Sequence, residues 1–382
     1  MADTWNGFGL YQPFDGNITA QQATADAGRY VLTWGPGKPT AWYAGNPALN
    51  ISYYLPFDTD ADRTLFGDLG HPLSWWQSSS GHPDWILYQC DQTTPAWVGG
   101  LPDNVPLDVS NTQVVAYQMA LVGPYMQANG YNSLAADVIS LKNANGGCGV
   151  WTQNHTVWVQ KFTGQREDPA WAAAVQFWTA YAQWYLHGLT HQAALLANAP
   201  IGDAPMNDPA NKELASHIDA LYDEGGFTNF GSKIADQGEF RTKVWWMMYI
   251  QSLGKPYLVT DLWKGTEPDA SQREYAFATY LMGKGHRAAM FTSQLGTYGS
   301  EHYWPEYTAP VGSPCTPRYS GQHVDLRKFT LSLVIVNSSG STIDVTLPQP
   351  ASAYTDIEGQ PVTDPMPVPA QSGLVLLTAN GC

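Results

Sequence analysis

Charge is the scarcest commodity in this sequence. Asp, Glu, Lys and Arg make up 13% of its 382 residues, about half the roughly 25% usual in globular domains. Basic residues are the rarer kind: 18 Lys and Arg stand against 33 Asp and Glu, for a net charge of −15. So little positive charge cannot neutralise a phosphate backbone or an anionic bilayer, and neither nucleic acid nor a membrane is expected as a partner. Long apolar runs are also missing, since no stretch approaches the ~18–20 residues of a membrane span. The first residues, Met1-Ala2-Asp3-Thr4, have neither the basic start nor the apolar core of a signal peptide.

Several motifs are absent as well. No Cys-x-x-Cys or Cys/His spacing points to zinc, so no metal is expected. No Gly-x-Ser-x-Gly, P-loop or dinucleotide fingerprint stands in a strand–helix setting. Hydrolase triads, kinases and Rossmann oxidoreductases therefore fit poorly, and no cofactor is expected.

Cysteine is sparse but even in number. Four cysteines allow two disulfides. Of the three pairings, Cys90–Cys148 with Cys315–Cys382 is preferred, because each pair then joins neighbouring parts of the predicted fold. Two disulfides and a surface poor in Lys but rich in Asn, Ser, Thr and Gly favour a secreted protein, extracellular or periplasmic, whose leader has been replaced by Met. A cytosolic protein is the alternative.

Aromatic residues, by contrast, are plentiful. Trp, Tyr and Phe reach 13%, more than a core needs, and the surplus is free to line a groove. Short β-branched or aromatic runs alternate with longer helical patterns, the signature of parallel βα units. Eight strands are read: 30–34, 51–55, 85–89, 133–137, 194–197, 218–224, 257–261 and 288–292. Helices fall at 114–126, 168–187, 240–253 and 271–282. In the second of these Asp168 caps, Pro169 opens the first turn, and Trp171, Val175, Trp178 and Ala182 recur at helical spacing.

Eight such units close most economically into a (β/α)8 TIM barrel, assigned to residues 1–312. Its functional face lies at the carboxyl ends of the strands. After Pro310 the pattern turns to period two, with strands at 328–337, 341–347 and 373–378 and a hairpin turn at Asn337-Ser338-Ser339-Gly340. Residues 313–382 are read as a small C-terminal antiparallel β-sandwich.

Two strand ends carry acids of interest, Ser133-Leu134-Ala135-Ala136-Asp137 and Leu221-Tyr222-Asp223-Glu224-Gly225-Gly226-Phe227. Side chains alternate across a strand, and Leu134 and Leu221 each lie three residues before an acid. If both leucines face the helices, Asp137 and Glu224 face the barrel axis and Asp223 turns away. Taken singly, such an acid is a helix cap or a solvated side chain. Two at equivalent strand ends suit glycoside hydrolysis, in which one carboxyl group protonates the leaving oxygen and the other attacks or activates water.

Other polar or aromatic residues near strand ends are candidates to bind substrate: Trp34, Asp91, Asn198, Asp223, Asp261, Trp263, Tyr303 and Trp304. Flat rings stack on the C–H faces of sugars and polar groups hydrogen-bond the hydroxyls. Ordinary loop packing is the plainer reading for about half of the aromatics. Glu301 and His302 precede Tyr303-Trp304, where His302 is read as a loop histidine, with the tuning of an acid as the sharper alternative.

The order of His82-Pro83-Asp84-Trp85-Ile86-Leu87, Pro106-Leu107-Asp108-Val109-Ser110-Asn111, Ala136-Asp137-Val138, Asp219-Ala220-Leu221-Tyr222-Asp223-Glu224-Gly225-Gly226-Phe227 and the tail Val334-Ile335-Val336-Asn337-Ser338 resembles the bacterial TIM-barrel glycoside hydrolases grouped as hypothetical glycosyl hydrolase families. More distantly it is similar to retaining α-glycosidase barrels of the dextranase-like and α-galactosidase-like kinds. That resemblance implies a fourth-strand Asp nucleophile, here Asp137, and a sixth-strand acid/base, here Glu224. The doublet Asp223-Glu224 leaves the second assignment open by one position, and the hydrophobic Val138 departs from the polar residue that often follows the nucleophile.

The expectation is thus a secreted, monomeric glycoside hydrolase acting on a neutral polysaccharide or oligosaccharide, at an α-linkage with retention. Its rival is a non-catalytic carbohydrate-binding barrel. A metal-dependent deacetylase lacks the His-rich cluster that it would need.

Overall fold

The structure, a computed structural model, describes residues 7–13, 18–35, 37, 39–61, 70–100, 104–231, 236–296, 303–315, 317–321 and 323–382. Eight parallel strands follow one another: β1 (Tyr11–Pro13), β2 (Leu32–Trp34), β3 (Asn50–Pro56), β4 (Ser133–Asp137), β5 (Ala194–Asn198), β6 (Ala220–Asp223), β7 (Tyr257–Trp263) and β8 (Ala288–Gln294). They belong to one sheet, in chain order, which is the topology of a (β/α)8 barrel. By contact density the chain divides into two compact units, residues 1–50, 200–206 and 220–382, and residues 51–199 and 207–219.

In the first unit β1 pairs with β2, and β6, β7 and β8 pair in turn. A parallel bridge from Leu10 to Met290 sets the first strand beside the last. The helix Gln237–Ser252 begins at Asp236, whose carboxylate accepts from the amides of Gly238 and Glu239, satisfying donors that a helix start otherwise leaves open. The helix Ala270–Gly283 is capped in the same way by Asp269. At its far end Arg327 donates to the carbonyls of Leu281 and Lys284, each at 2.7 Å.

The C-terminal residues of this unit form antiparallel sheets. One has the order 319–320, 324–329, 332–337 and 372–377, and a second pairs 343–345 with 366–368. Leu333, Ile335, Val345, Leu347, Val368 and Leu376 bury one another. The single strand expected at 328–337 is two, folded at Thr330-Leu331 into a hairpin in which Phe329 faces Ser332. Asn337-Gly340 is not a hairpin turn, because the strands on either side lie in different sheets. Asn337 instead donates to the carbonyls of Ser341, Val368 and Pro369 and fixes that crossing.

In the second unit β4 lies between β3 and β5. Two long excursions, after β3 and after β4, build a separate antiparallel sheet of Tyr88–Gln89, Gly147–Thr152 and Val157–Gln160. A disulfide, Cys90–Cys148, ties it together, and Cys315–Cys382 closes the tail of the first unit. Both preferred pairings are therefore present.

One expected barrel strand is corrected. Residues 85–89 form a 3-10 turn and a short strand of the excursion, and the missing barrel strand is β1. Trp85, Ile86 and Tyr88 form an apolar run because they fill an aromatic cluster with Trp76, Val105 and Leu107. β1 spans three residues and is too short to show a period. The exchange leaves Asp137 at the end of the fourth strand and Glu224 just past the sixth.

Candidate active site

Strand register places Asp137. Leu134 pairs with Leu195 and Ala136 with Ala197, so Asn198 comes level with Asp137 on the next strand. On the other side Tyr54 pairs with Ala135 and Pro56 with Asp137. Parallel strands in register present like-numbered positions to the same face, and Tyr54, Asp137 and Asn198 share one. The other face of β3 is the helix side, because Tyr53 packs against Tyr125 and Tyr131 at the end of the helix Thr112–Asn129. Asp137 thus turns away from the helices.

Its carboxylate is held at both oxygens. Asn198 Nδ2 donates to Oδ1 at 2.6 Å and the Tyr54 hydroxyl donates to Oδ2. The amide of Val138 also donates to Oδ1, at 2.8 Å. Val138 has φ +54 and is 38% exposed; a β-branched residue in that region carries strain on the order of 1–3 kcal/mol, and such strain concentrates at functional sites.

Next to this triad lies a buried acid that the sequence reading passed over. Asp58 is 4% exposed, and no described group meets its Oδ1. Burial pushes its carboxyl up to about 7, with the charge of Asp137 adding to the shift. The only sequence signal was an acid two residues beyond a strand.

In the first unit, alternation separates the acidic doublet. Tyr222 stacks on Trp34 at 4.3 Å and meets Tyr11 edge-on at 5.9 Å. Asp223 lies on the opposite face: Tyr257 donates to its Oδ2 at 2.6 Å, and Lys243, from the helix 237–252, approaches it at 3.6 Å. Lys243 pairs with Asp203 at 2.8 Å. Burial raises the Asp223 carboxyl, against the opposing charge of Lys243. Burial would also discharge Lys243, but Asp223 and Asp203 outweigh it and hold the ammonium above its usual range. Glu224, one residue on, is half-buried. Its charge falls on the Tyr11 hydroxyl, which burial first and Tyr222 next push well above the ordinary range, with Glu224 adding to both.

A cavity of about 450 Å³ opens beside Lys243, lined by Asp203, Phe227, Thr228, Asn229 and Glu239 among others. That volume falls in the range of small-ligand sites. Among the described residues no three His, Cys, Asp or Glu side chains group so as to hold a metal ion.

No protein-family model matches the chain, and no curated protein sequence does. Solved structures do. A noncanonic maltogenic alpha-amylase, AmyB, of Thermotoga neapolitana matches with a TM-score of 0.50 at 11% identity, covering 97% of this chain and 98% of its own. An Anoxybacillus alpha-amylase matches with a TM-score of 0.50 at 10% identity, covering 98% and 99%. The fold is the same. At such identity the likeness extends to the barrel and carries no residue roles.

The remaining candidates are placed as follows. Trp34 is fully buried under Tyr222. Asp261 is 1% exposed and anchors the loop after β6, accepting from the Thr228 amide at 3.1 Å and from its hydroxyl. Its Oδ2 meets no described partner, and burial raises the carboxyl to about 7. Gly226, at φ +56, passes so close that a Cβ there would fall 2.4 Å from the Thr260 carbonyl oxygen. Trp263 packs under Gly231 of the same loop.

Tyr303 lies under the guanidinium of Arg29, and Trp304 under that of Arg273 at 4.1 Å. Asp91 stands in the excursion, where it accepts from Thr93 and Thr94. Hydrogen bonds from Thr94 draw its carboxyl down to about 2. Glu301 and His302 lie outside the described residues. Tyr54, Asp58, Lys243 and Tyr257 were missed by sequence reading. Besides the place of Asp58 after a strand, Lys243 left a trace, as a rare basic residue between the buried Phe240 and Val244.

Proposed function

We propose that this protein is a glycoside hydrolase with Asp137 as its nucleophile and Glu224 as its acid/base. The observation that carries this reading is the Asp137 carboxylate at a barrel strand end, turned from the helices and oriented by Tyr54 and Asn198. A nucleophile must be ionised, aimed and able to leave its hydrogen bonds for a covalent one. Two neutral donors aim the carboxylate without pairing it to a cation. Glu224 is favoured over Asp223 because Asp223 is committed to Tyr257 and Lys243 on the helix side. An acid/base must exchange a proton twice, and Asp223 is too enclosed for that.

The proposed substrate is a neutral polysaccharide or oligosaccharide, cleaved at an α-linkage with retention. The alpha-amylase names of the two structural matches support that choice by analogy of fold only. Asn198, in direct contact with the nucleophile, and Asp91, Trp263, Tyr303 and Trp304 remain proposed around the substrate, while Trp34, Asp223 and Asp261 are enclosed by protein groups. The catalytic domain is proposed as residues 1–312, followed by a sandwich at 313–382, in a monomer. Two disulfides, and no described helix long and apolar enough to cross a membrane, support secretion.

The test is a panel of α- and β-linked glycans incubated with the parent, Asp137→Asn and Glu224→Gln, with products followed by chromatography and by NMR of the first-formed anomer. The proposal expects cleavage by the parent, loss of nearly all turnover in both variants, and a product anomer that matches the substrate. Binding by all three proteins without cleavage by any of them would establish the non-catalytic barrel instead.

A further inference from the structure

The helix Pro169–His187 carries a feature that catalysis does not use. Phe177, Tyr181 and Trp184 follow one another on its outer side, Phe177 exposed at 42% and Trp184 at 67%. Their ring centroids step by 6.2 Å and then 5.4 Å, each ring tilted from the last by 37° and 59°. The opposite side of the helix, with Trp171, Val175, Trp178 and Ala182, is buried. A helix with its core face already satisfied has no folding reason for a second aromatic face.

We propose that Phe177, Tyr181 and Trp184 form a surface site for a neutral glycan chain, separate from the acids of the barrel. Each step between rings is close to the length of one pyranose unit. Ring faces are electron-rich and attract the polarised C–H faces of sugars. Gln176 and Gln183 flank the rings with carboxamides whose N–H groups donate to the Ala210 carbonyl and to Asp219, which holds their amides at the edge of the platform. No Asp, Glu, Lys or Arg occurs from Pro169 to Leu186, and His187 at the end is paired with Asp219 at 2.9 Å. The helix from Pro169 to Leu186 thus carries no formal charge of its own, with the Asp219 carboxylate at its edge, and this suits a neutral ligand.

Two other occupants fit less well. The exposed rings present roughly 300 Å², taking ~150–250 Å² for a whole aromatic side chain, against the ~800 Å² per partner of a stable protein interface. A second copy would also bring another charge of −15. An anionic bilayer is repelled by the same charge, and no basic residue on this helix offsets it.

The choice of glycan rests on the proposed function, but the test does not need catalysis. The parent, Asp137→Asn, Trp184→Phe and Phe177→Ala/Trp184→Ala are run on native gels cast with soluble starch, dextran, xylan or galactomannan. The expected result is retardation of the parent, Asp137→Asn and Trp184→Phe by at least one polymer, with Kd raised tenfold or more in the double alanine variant. Equal retardation of the double variant, or none of the parent on any polymer, overturns the proposal. So does a parent dimer in sedimentation velocity that the double variant abolishes. A parent that is retarded but cleaves nothing overturns the hydrolase reading and leaves this site standing.

Discussion

Asn198 donates to Asp137 at 2.6 Å across the paired fourth and fifth strands. The contact follows from register alone: once Ala197 is level with Ala136, the next residue of each strand faces its counterpart. With Tyr54 on the other flank, the carboxylate has one orientation rather than several.

Removal of either donor should therefore cost rate before it costs fold. Asn198→Ala is expected to lower kcat by about 10²-fold, the usual effect of losing one preorganised donor, and Tyr54→Phe by somewhat less. Steady-state kinetics on any glycan the parent cleaves, beside a thermal melt of each variant, checks this. A variant that melts like the parent and turns over like it removes these donors from the mechanism.

The buried Lys243 gives a prediction about stability. It sits between Asp203 at 2.8 Å and Asp223 at 3.6 Å. Truncating one member of a buried ion pair strands the other charge, at a typical cost of ~3–5 kcal/mol. Lys243→Met should thus destabilise the protein by that order in urea denaturation, whereas Asp203→Asn should cost less because that carboxylate is 62% exposed. A Lys243→Met variant with the parent's midpoint would show that Asp223 is neutral without its partner.

Much of this site was legible in sequence because it follows from period two. Ser133–Asp137 was readable as a strand with its acid at the end, and the opposite facing of Tyr222 and Asp223 follows from the same alternation. What was hidden depends on distant partners. Lys243 and Tyr257 reach Asp223 from a helix and a neighbouring strand, and Asp58 acquires its character from burial, which no local pattern reports. β1 escaped because three residues cannot display a period, and 85–89 took its place because an apolar run looks alike in a barrel strand and in an aromatic cluster. The helix Pro169–His187 was read for its buried stripe, and its outer rings were hidden behind that stronger signal.

The excursion sheet depends on its disulfide. Cys90 and Cys148 are 58 residues apart, and in the chain-entropy account a loop of that length is worth about 4 kcal/mol. Cys90→Ser/Cys148→Ser should lose stability of that order in urea denaturation under non-reducing conditions, and dithiothreitol should lower the parent's midpoint in the same direction. Unchanged midpoints in both would mean that the aromatic cluster around Trp76 and Trp85 holds the excursion unaided.

The last prediction concerns pH. Burial raises Asp58 and Asp261 from an ordinary 3.8 to about 7, and Glu274 from 4.5 to about 7. A carboxyl whose pKa is higher in the folded than in the unfolded chain binds its proton more tightly when folded, so its contribution is complete below about 4 and is lost as pH rises toward 7. A tenfold difference in proton affinity between the folded and unfolded chain corresponds to about 1.4 kcal/mol. Capping acids such as Asp168 and Asp269 are shifted the other way and lose stability only in acid. Melting temperature should therefore fall between pH 5 and pH 7.5 and level off above that. Asp58→Asn, which keeps the shape but cannot ionise, should flatten part of that fall and melt above the parent at pH 8. The measurement is a series of thermal melts from pH 4 to 9 on both proteins; parallel curves would mean that Asp58 carries no proton in the folded chain at neutral pH.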